Sequence, residues 1–224
     1  MGICDGSANG GPCYFADART LHRVGPPIEP GVTAGAAAFS PDGRLLALGD
    51  YDGPGVTVLQ VSNGKVRWAN RSLSQVQVLG FSPRGRRLIA ATYDGGIATF
   101  DAASGRQLAG PVVAQAGPVL AASFAPGGRT ILTSGTDGTI RLWEPAHLRP
   151  VGEPLHLLSA QGAFAAFAPG GREILGMDTT GRVTTWPATT AAWLSRACHI
   201  ARRVFTPQER TLYSITPVSA KPCP

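Results

Sequence analysis

The sequence is poor in charged and aromatic side chains. Of its 224 residues, 15% are charged and 7% are aromatic, whereas 43% are hydrophobic. A disordered chain shows the opposite balance, with many charges and few apolar residues, so this composition indicates a folded protein. Because aromatic residues are few, we expect the core to consist mainly of Val, Ile, Leu and Ala.

Long apolar runs are also missing. The most apolar stretch, residues 109–126, is interrupted by Pro111, Gln115 and Pro118 and is too short to cross a membrane. The first residues lack both the basic start and the apolar core of a secretory signal peptide. The sequence therefore predicts a cytoplasmic protein without a membrane span.

The sequence also lacks the spacings that mark metal and redox sites. Cysteine occurs only four times, and no pair has a CxxC or Cys–His metal-binding spacing. We therefore predict no cofactor and no metal. Whether the cysteines form two disulfide bonds stays open, although free buried thiols are the default in a chain without an export signal. The two candidate pairs are Cys4 with Cys13 and Cys198 with Cys223.

Signals of catalysis are equally scarce. The chain contains neither a Walker phosphate-binding loop nor a protein kinase signature. Its histidines have no carboxylate partners at useful spacing, so a catalytic or metal-binding histidine is not predicted. These histidines are His22, His147, His156 and His199.

Glycine and proline, by contrast, are abundant. The 29 glycines and 19 prolines disfavour long helices and favour many short strands joined by tight turns. They are also placed regularly. A segment of the form Phe-(Ser/Ala)-Pro-x-Gly-Arg occurs four times, at spacings of 42, 43 and 43 residues. The four copies begin at Phe39, Phe81, Phe124 and Phe167.

A second marker repeats in the same register. A turn pair ending in glycine follows each copy, again at spacings of 42, 43 and 43 residues: Asp52-Gly53, Asp94-Gly95, Asp137-Gly138 and Thr180-Gly181. Apolar segments flank both turns, so each unit is expected to form four short antiparallel strands, a pattern typical of a β-propeller blade. The predicted units are residues 29–71, 72–113, 114–157 and 158–187, with a partial unit at 3–28.

These residues resemble the WD-repeat (WD40) family of β-propellers. The resemblance lies in the Phe-Ser-Pro-Asp-Gly turn, the Asp-Gly turn and the closing Leu142-Trp143-Glu144. It implies that Trp143 and Trp186 are structural, and that Ser134 with Asp137, and Thr92 with Asp94, keep part of the family's hydrogen-bond network. Phe100 and Leu59 hold the tryptophan position in the other units. No Gly-His pair precedes an inner strand, so we do not expect the complete network.

Two architectures stay open for these repeats. Strand counting gives two strands from residues 3–28 and seventeen in total, which is not a multiple of four. The chain is therefore either a truncated array of about four to five blades or a small ring whose two ends share a blade. A truncated array exposes edge strands at residues 13–28 and 182–186, and such edges favour self-association.

The segment 188–224 does not continue the repeat and is expected to form a short helical tail. Trp193, Ala197 and Ile200 lie at helical spacing, and Thr206-Pro207-Gln208-Glu209 has the pattern of a helix start. The tail resembles that of WD-repeat regions in actinobacterial proteins that also carry a STAND-type NTPase or a kinase module. The residues carrying this resemblance are Trp193, Ala197, Cys198, Ile200, Ala201, Arg203, Thr206, Glu209, Tyr213 and Cys223.

The charged side chains separate by the type of turn in which they lie. In a propeller blade, the turns after the second strand share one face with the links between blades, and the turns after the first strand lie on the other face. Asp50, Asp52, Asp94, Asp137 and Asp178 fall on the first face. The second is a basic face formed by Arg44, Arg87, Arg129 and Arg172, with Arg84 and Arg86 nearby. Solvated turns tolerate charge, so the simplest interpretation is that this separation has no function.

The family resemblance also points to binding residues. WD-repeat proteins often bind partners through the residue just before the turn aspartate, and the corresponding residues here are Tyr51, Tyr93, Thr136 and, by register, Thr179. We therefore predict a non-enzymatic scaffold for protein or peptide partners, in the sensor or docking region of a bacterial signalling protein. The alternative is binding of nucleic acid or another anionic polymer through the basic face, since the net charge is +6. An enzyme is the third interpretation.

Overall fold

The computed structural model describes residues 2–4, 13–17, 19–28, 32–157 and 162–189. Every regular element in these ranges is a β-strand, as the glycine and proline content predicts. No helix within these ranges is long and apolar enough to cross a membrane. The predicted tail helices fall outside these ranges and stay predictions.

The strands form five antiparallel sheets in chain order. The first sheet contains β1 (Gly2–Cys4), β2 (Cys13–Ala16) and β3 (Arg23–Ile28). The second contains β4 (Ala34–Phe39), β5 (Leu45–Asp50), β6 (Pro54–Gln60) and β7 (Val66–Ser74). The third contains β8 (Val76–Phe81), β9 (Arg87–Thr92), β10 (Gly96–Asp101) and β11 (Gln107–Val113).

The last two sheets differ from the four-stranded second and third sheets. The fourth contains β12 (Val119–Phe124), β13 (Ile131–Gly135), β14 (Thr139–Glu144), β15 (Arg149–Pro150) and β16 (Leu155–His156). Its outer strand is divided, because β15 and β16 both pair with β14. The fifth contains β17 (Ala163–Phe167), β18 (Glu173–Asp178) and β19 (Val183–Pro187).

The strand count differs from the sequence prediction in two places. Residues 2–28 form three strands rather than two, and the divided outer strand of the fourth sheet adds another. The ranges that the structure describes therefore contain nineteen strands rather than seventeen. In the first hairpin, Cys4 and Cys13 are opposite each other in the backbone register, as their positions on either side of one loop predict.

The repeated proline–glycine turns have one conformation. Gly43, Gly85, Gly128 and Gly171 all have φ between +67° and +69°. This left-handed region is unfavourable for residues with a Cβ, which explains why the repeat keeps glycine at this position. The serine of the motif also closes the turn, since the backbone N–H of Arg87 donates to Ser82 Oγ at 3.0 Å.

Neighbouring sheets bury one another through equivalent residues. Ile89 and Ile97 of the third sheet are fully buried in a cluster with Ile131 and Trp143 of the fourth. Leu132 and Ile140 of the fourth sheet are likewise fully buried against Ala163, Ala165 and Ile174 of the fifth. The fourth and fifth sheets therefore each cover the outward face of the sheet before them.

The fifth sheet breaks this series. Its residues equivalent to Leu132 and Ile140 are Leu175 and Val183, whose side chains are 37% and 58% exposed. Phe164 and Met177 lie on the same face and are also exposed. These four side chains border a shallow apolar cavity of about 310 Å³, and we call this surface the open face.

Concentration-dependent self-association is the expected behaviour of this array. Strand β19 pairs only with β18 among the described strands, so its outer edge offers unpaired backbone groups. Val183→Lys places a charge beside that edge and should reduce association. Val113→Lys, on the outer strand of the four-stranded third sheet, is the matched control. Light scattering of the wild-type chain that shows a monomer at all concentrations would contradict the open array and favour a closed ring.

Candidate protein-binding rim and basic groove

The residues proposed to bind partners lie at one end of successive sheets. Tyr51, Tyr93, Thr136 and Thr179 each follow the second strand of their repeat and are exposed. A repeated backbone hydrogen bond fixes the first three, because each N–H donates to a carbonyl in the link before the inner strand. The acceptors are Thr33 at 2.9 Å, Gln75 at 3.1 Å and Pro118 at 3.1 Å. We call this set of four residues the rim.

The two tyrosines give the rim its apolar surface. Tyr51 and Tyr93 are 43% and 48% exposed, and they belong to neighbouring sheets whose inner strands β4 and β8 are in contact. The Tyr51 ring lies against Gly35, where a Cβ would come within 2.8 Å of the tyrosine side chain. Within the ranges that the structure describes, neither phenol hydroxyl has a hydrogen-bond partner. Both rings therefore offer an apolar body and a free polar tip.

Behind the rim, the fourth sheet contains a buried polar network centred on Gln115. Trp143 Nε1 donates to Thr133 Oγ1 at 2.9 Å. The Gln115 amide is assigned the orientation that forms hydrogen bonds with its neighbours. In this orientation its oxygen accepts from Thr133 Oγ1 at 3.0 Å and its NH₂ donates to Asp137. Asp137 also accepts from the backbone N–H of Ala116 at 2.9 Å. The network thus joins the tryptophan, the second strand, the turn and the inter-sheet link.

This network corrects the sequence interpretation. The hydroxyl that contacts Trp143 belongs to Thr133, whereas the Ser134 hydroxyl is buried and has no hydrogen-bond partner among the described residues. The side chains of Thr133 and Ser134 point to opposite faces of the strand, as those of successive strand residues do. Gln115 occupies the inter-sheet link, so the network closes without histidine. In the sequence, Gln115 stands out as a single amide in the otherwise apolar stretch of residues 109–126.

The other units keep only parts of this arrangement. In the third sheet, the Thr92 hydroxyl donates to Asp94, as predicted, and accepts from Gly96 N–H at 2.9 Å. Phe100 holds the position equivalent to Trp143 there and is fully buried, but its ring has no N–H to donate. In the fifth sheet, Trp186 is only half-buried. The fourth sheet is therefore the most completely connected unit.

The predicted basic residues lie at the opposite strand ends, in the turns that follow the first strand of each unit. Arg87 and Arg129 line one groove between the turns of the third and fourth sheets, together with Arg84 and Arg86. This basic groove has a volume of about 390 Å³. Arg44 is outside it and lies 3.9 Å from Asp42 Oδ2, while Arg172 belongs to the turn of the fifth sheet.

Carboxylates at the turns mainly bind their own backbone. The hydroxyl and backbone N–H of Ser104 donate to Asp101 and hold the pKa of that carboxyl below its usual value. The Ser40 hydroxyl lowers the pKa of Asp42 in the same way, with a smaller contribution from Arg44. These acids stabilise turns. Among the described residues, histidine, cysteine and carboxylate side chains form no group that could hold a metal ion.

Comparison with known proteins supports the repeat assignment. The family "WD domain, G-beta repeat" (WD40) matches residues 107–144, which include the whole Gln115–Thr133–Asp137–Trp143 network. No curated protein matches the sequence.

Similar solved structures are distant in sequence. The computationally designed Ika4 protein has 18% identity and a TM-score of 0.60, with 70% of this chain and 92% of that chain covered. A chain of the Mitotic Checkpoint Complex has 16% identity and a TM-score of 0.71, covering 85% and 60%. A chain of Kuenenia stuttgartiensis hydrazine synthase has 16% identity and a TM-score of 0.65, covering 79% and 60%. At such identities the similarity shows the fold alone. This chain also spans only 60% of the length of the last two.

The described residues form an all-β array of antiparallel sheets whose fold resembles that of WD40 propellers, and residues 107–144 match one WD40 repeat. WD40 repeats generally mediate protein–protein interaction.

Proposed function

We propose that the chain is a non-enzymatic scaffold that binds a protein or peptide partner through the rim. The observation that carries this proposal is the pair of half-exposed tyrosines on neighbouring sheets. Tyrosine combines a large rigid surface with a polar tip and loses little rotamer entropy on binding, which explains its enrichment at binding hot spots.

The signalling context is part of the same proposal. The tail resembles those of WD-repeat regions attached to an NTPase or kinase, so we propose that the repeats serve as the sensor or docking region of a bacterial signalling protein. The tail residues that support this lie outside the described ranges. The rim residues themselves all lie within the described ranges.

Tyr51→Ala combined with Tyr93→Ala should weaken peptide binding by at least tenfold, since truncating each hot-spot tyrosine costs more than about 1 kcal/mol. Peptides would be selected from a displayed library on the wild-type chain, and their affinities measured by fluorescence anisotropy. Both tyrosines are exposed, so the melting temperature should change little.

Arg129→Glu combined with Arg172→Glu, at the opposite strand ends, is the matched double variant and should bind the selected peptides as the wild type does. The proposal is wrong if the arginine variant loses the peptides while the tyrosine variant keeps them, or if the wild type selects none.

A further inference from the structure

The basic groove concentrates positive charge in a concave site. The turn between β8 and β9 contributes Arg84 and Arg86, the start of β9 contributes Arg87, and the turn between β12 and β13 contributes Arg129. The groove exists because β8 and β12 are in contact, which places the two turns side by side. Four arginines from two sheets therefore line a groove of about 390 Å³.

Among the described residues, these four arginines have no acidic partner. In the described ranges Asp42 pairs with Arg44 and Glu144 contacts the ring of His147, and neither contact involves the groove. The groove is lined by Ser82, Pro83, Pro126, Gly127, Gly128 and the four arginines. Mutual repulsion among four like charges is unfavourable, and a bound anion would relieve it.

The four arginines of the groove form a local group, and the turns of the neighbouring sheets do not extend it into a continuous basic surface. On the second sheet, the equivalent turn contains Asp42, which pairs with Arg44. On the fifth sheet, Glu173 directly follows Arg172. A carboxylate therefore lies in or directly after the equivalent turn on each side of the groove, and the unpaired positive charge is confined to the third and fourth sheets.

The lining also discriminates between classes of anion. Among the described residues, no aromatic side chain borders the groove, so these residues offer nucleic-acid bases no surface on which to stack. Guanidinium groups donate paired, planar hydrogen bonds that fit phosphate and carboxylate oxygens. A phosphate monoester has three acceptor oxygens and nearly two negative charges at neutral pH, more than one carboxylate offers to several arginines.

We propose that the groove of Arg84, Arg86, Arg87 and Arg129 is a binding site for a phosphate monoester, presented on a phosphorylated side chain of a peptide. The site lies at the opposite strand ends from the rim. It therefore gives the chain a second ligand site that does not depend on Tyr51 or Tyr93.

The test measures binding of three fluorescent probes to the full chain. They are a nine-residue peptide of alanine and glycine with one central phosphoserine, the same peptide with serine, and a twelve-residue oligothymidylate. The phosphopeptide should bind saturably and at least tenfold more tightly than the serine peptide. Inorganic phosphate is added as a competitor and should displace the phosphopeptide less well than an unlabelled copy of the peptide.

Arg86→Glu combined with Arg129→Glu should weaken phosphopeptide binding by at least tenfold. Arg149→Glu changes an exposed arginine on the fourth sheet outside the groove and should leave binding within about twofold of the wild type. Circular dichroism and the melting temperature would show that both variants are folded. If the double variant does not fold, Arg86→Gln alone removes one groove charge without reversing it.

The pH dependence separates the two kinds of phosphate. The second pKa of a phosphate monoester is about 6, whereas the diesters of nucleic acid do not titrate in this range. The ionisable side chains that line the groove are all arginines. Phosphopeptide binding should therefore weaken as the pH falls from 7.5 to 5.0.

Three results would overturn the proposal. They are the absence of saturable phosphopeptide binding, unchanged binding by the Arg86/Arg129 variant, or tighter binding of the oligothymidylate with a steep salt dependence. Displacement by inorganic phosphate as efficient as by the peptide would contradict the peptide part of the proposal and assign the site to a small phosphate compound. A loss of rim binding alone would leave this proposal unaffected.

Discussion

Trp143→Ala is expected to lower the free energy of unfolding by about 3–5 kcal/mol, the usual cost of truncating a large buried aromatic side chain. The Trp143 side chain is only 4% exposed and packs between the third and fourth sheets. Its removal leaves a cavity and also deprives Thr133 of the indole N–H. Denaturant unfolding of the full chain, followed by circular dichroism, measures the loss.

Two further variants separate packing from hydrogen bonding. Trp143→Phe keeps most of the buried surface but removes the donor to Thr133, so we expect a loss of about 1–3 kcal/mol. Trp186→Ala changes the half-buried equivalent residue in the fifth sheet and should cost less than Trp143→Ala. A loss below about 1 kcal/mol for Trp143→Ala would mean that this ring is not buried in solution.

Leu132→Ala is expected to cost about 2–5 kcal/mol, whereas Leu175→Ala should cost less than about 1 kcal/mol. The two leucines hold equivalent places in consecutive units, but Leu132 is fully buried by the fifth sheet and Leu175 is 37% exposed on the open face. The same chemical change therefore tests whether a neighbouring sheet is present. Thermal and denaturant unfolding of the two variants gives the comparison directly.

Equal losses for the two variants would mean that the open face is covered in solution. Repeating the measurement over a range of protein concentrations identifies one cause. If a second copy of the chain covers this face, the stability of the wild type rises with concentration, and that of Leu175→Ala rises less.

The repeat and its turns could be predicted from the sequence because they depend on local chemistry. Glycine at positions such as Gly85 is required by a positive φ, and the phenylalanine spacing gives the unit length. The equivalent positions of the units could also be predicted from the sequence. The sequence assigns Leu59 and Phe100 to the position that Trp143 holds in its own unit. The structure pairs Leu59 with Leu46 and Phe100 with Leu88, and these two partners are equivalent residues of neighbouring units.

The polar network could only partly be predicted, because its members are distant in sequence. Gln115 lies 18 residues before Thr133, and only the pairing of β12 with β13 brings the link and the second strand together. The choice of Thr133 rather than Ser134 depends on which strand face points toward Trp143. Neighbouring residues of a strand point to opposite faces, so a shift of one residue exchanges Thr133 and Ser134. The sequence pattern alone does not give the strand pairing that decides between them.

The charged residues show the same limit. Their sorting onto two sets of turns follows from strand order and could be predicted. The sequence did not show that Arg87 and Arg129 share a groove while Arg44 pairs with Asp42. That outcome depends on the contact between β8 and β12, which is a property of sheet packing.

The open face has a consequence for how such a chain grows by gene duplication. A duplicated copy of one unit joined after β19 finds its docking surface already present. Residues equivalent to Ala163 and Ile174 in the new copy would bury Leu175 and Val183. A copy inserted between two existing sheets must instead match a partner on both of its faces at once. Lengthening at this end therefore needs fewer simultaneous changes than insertion inside the array.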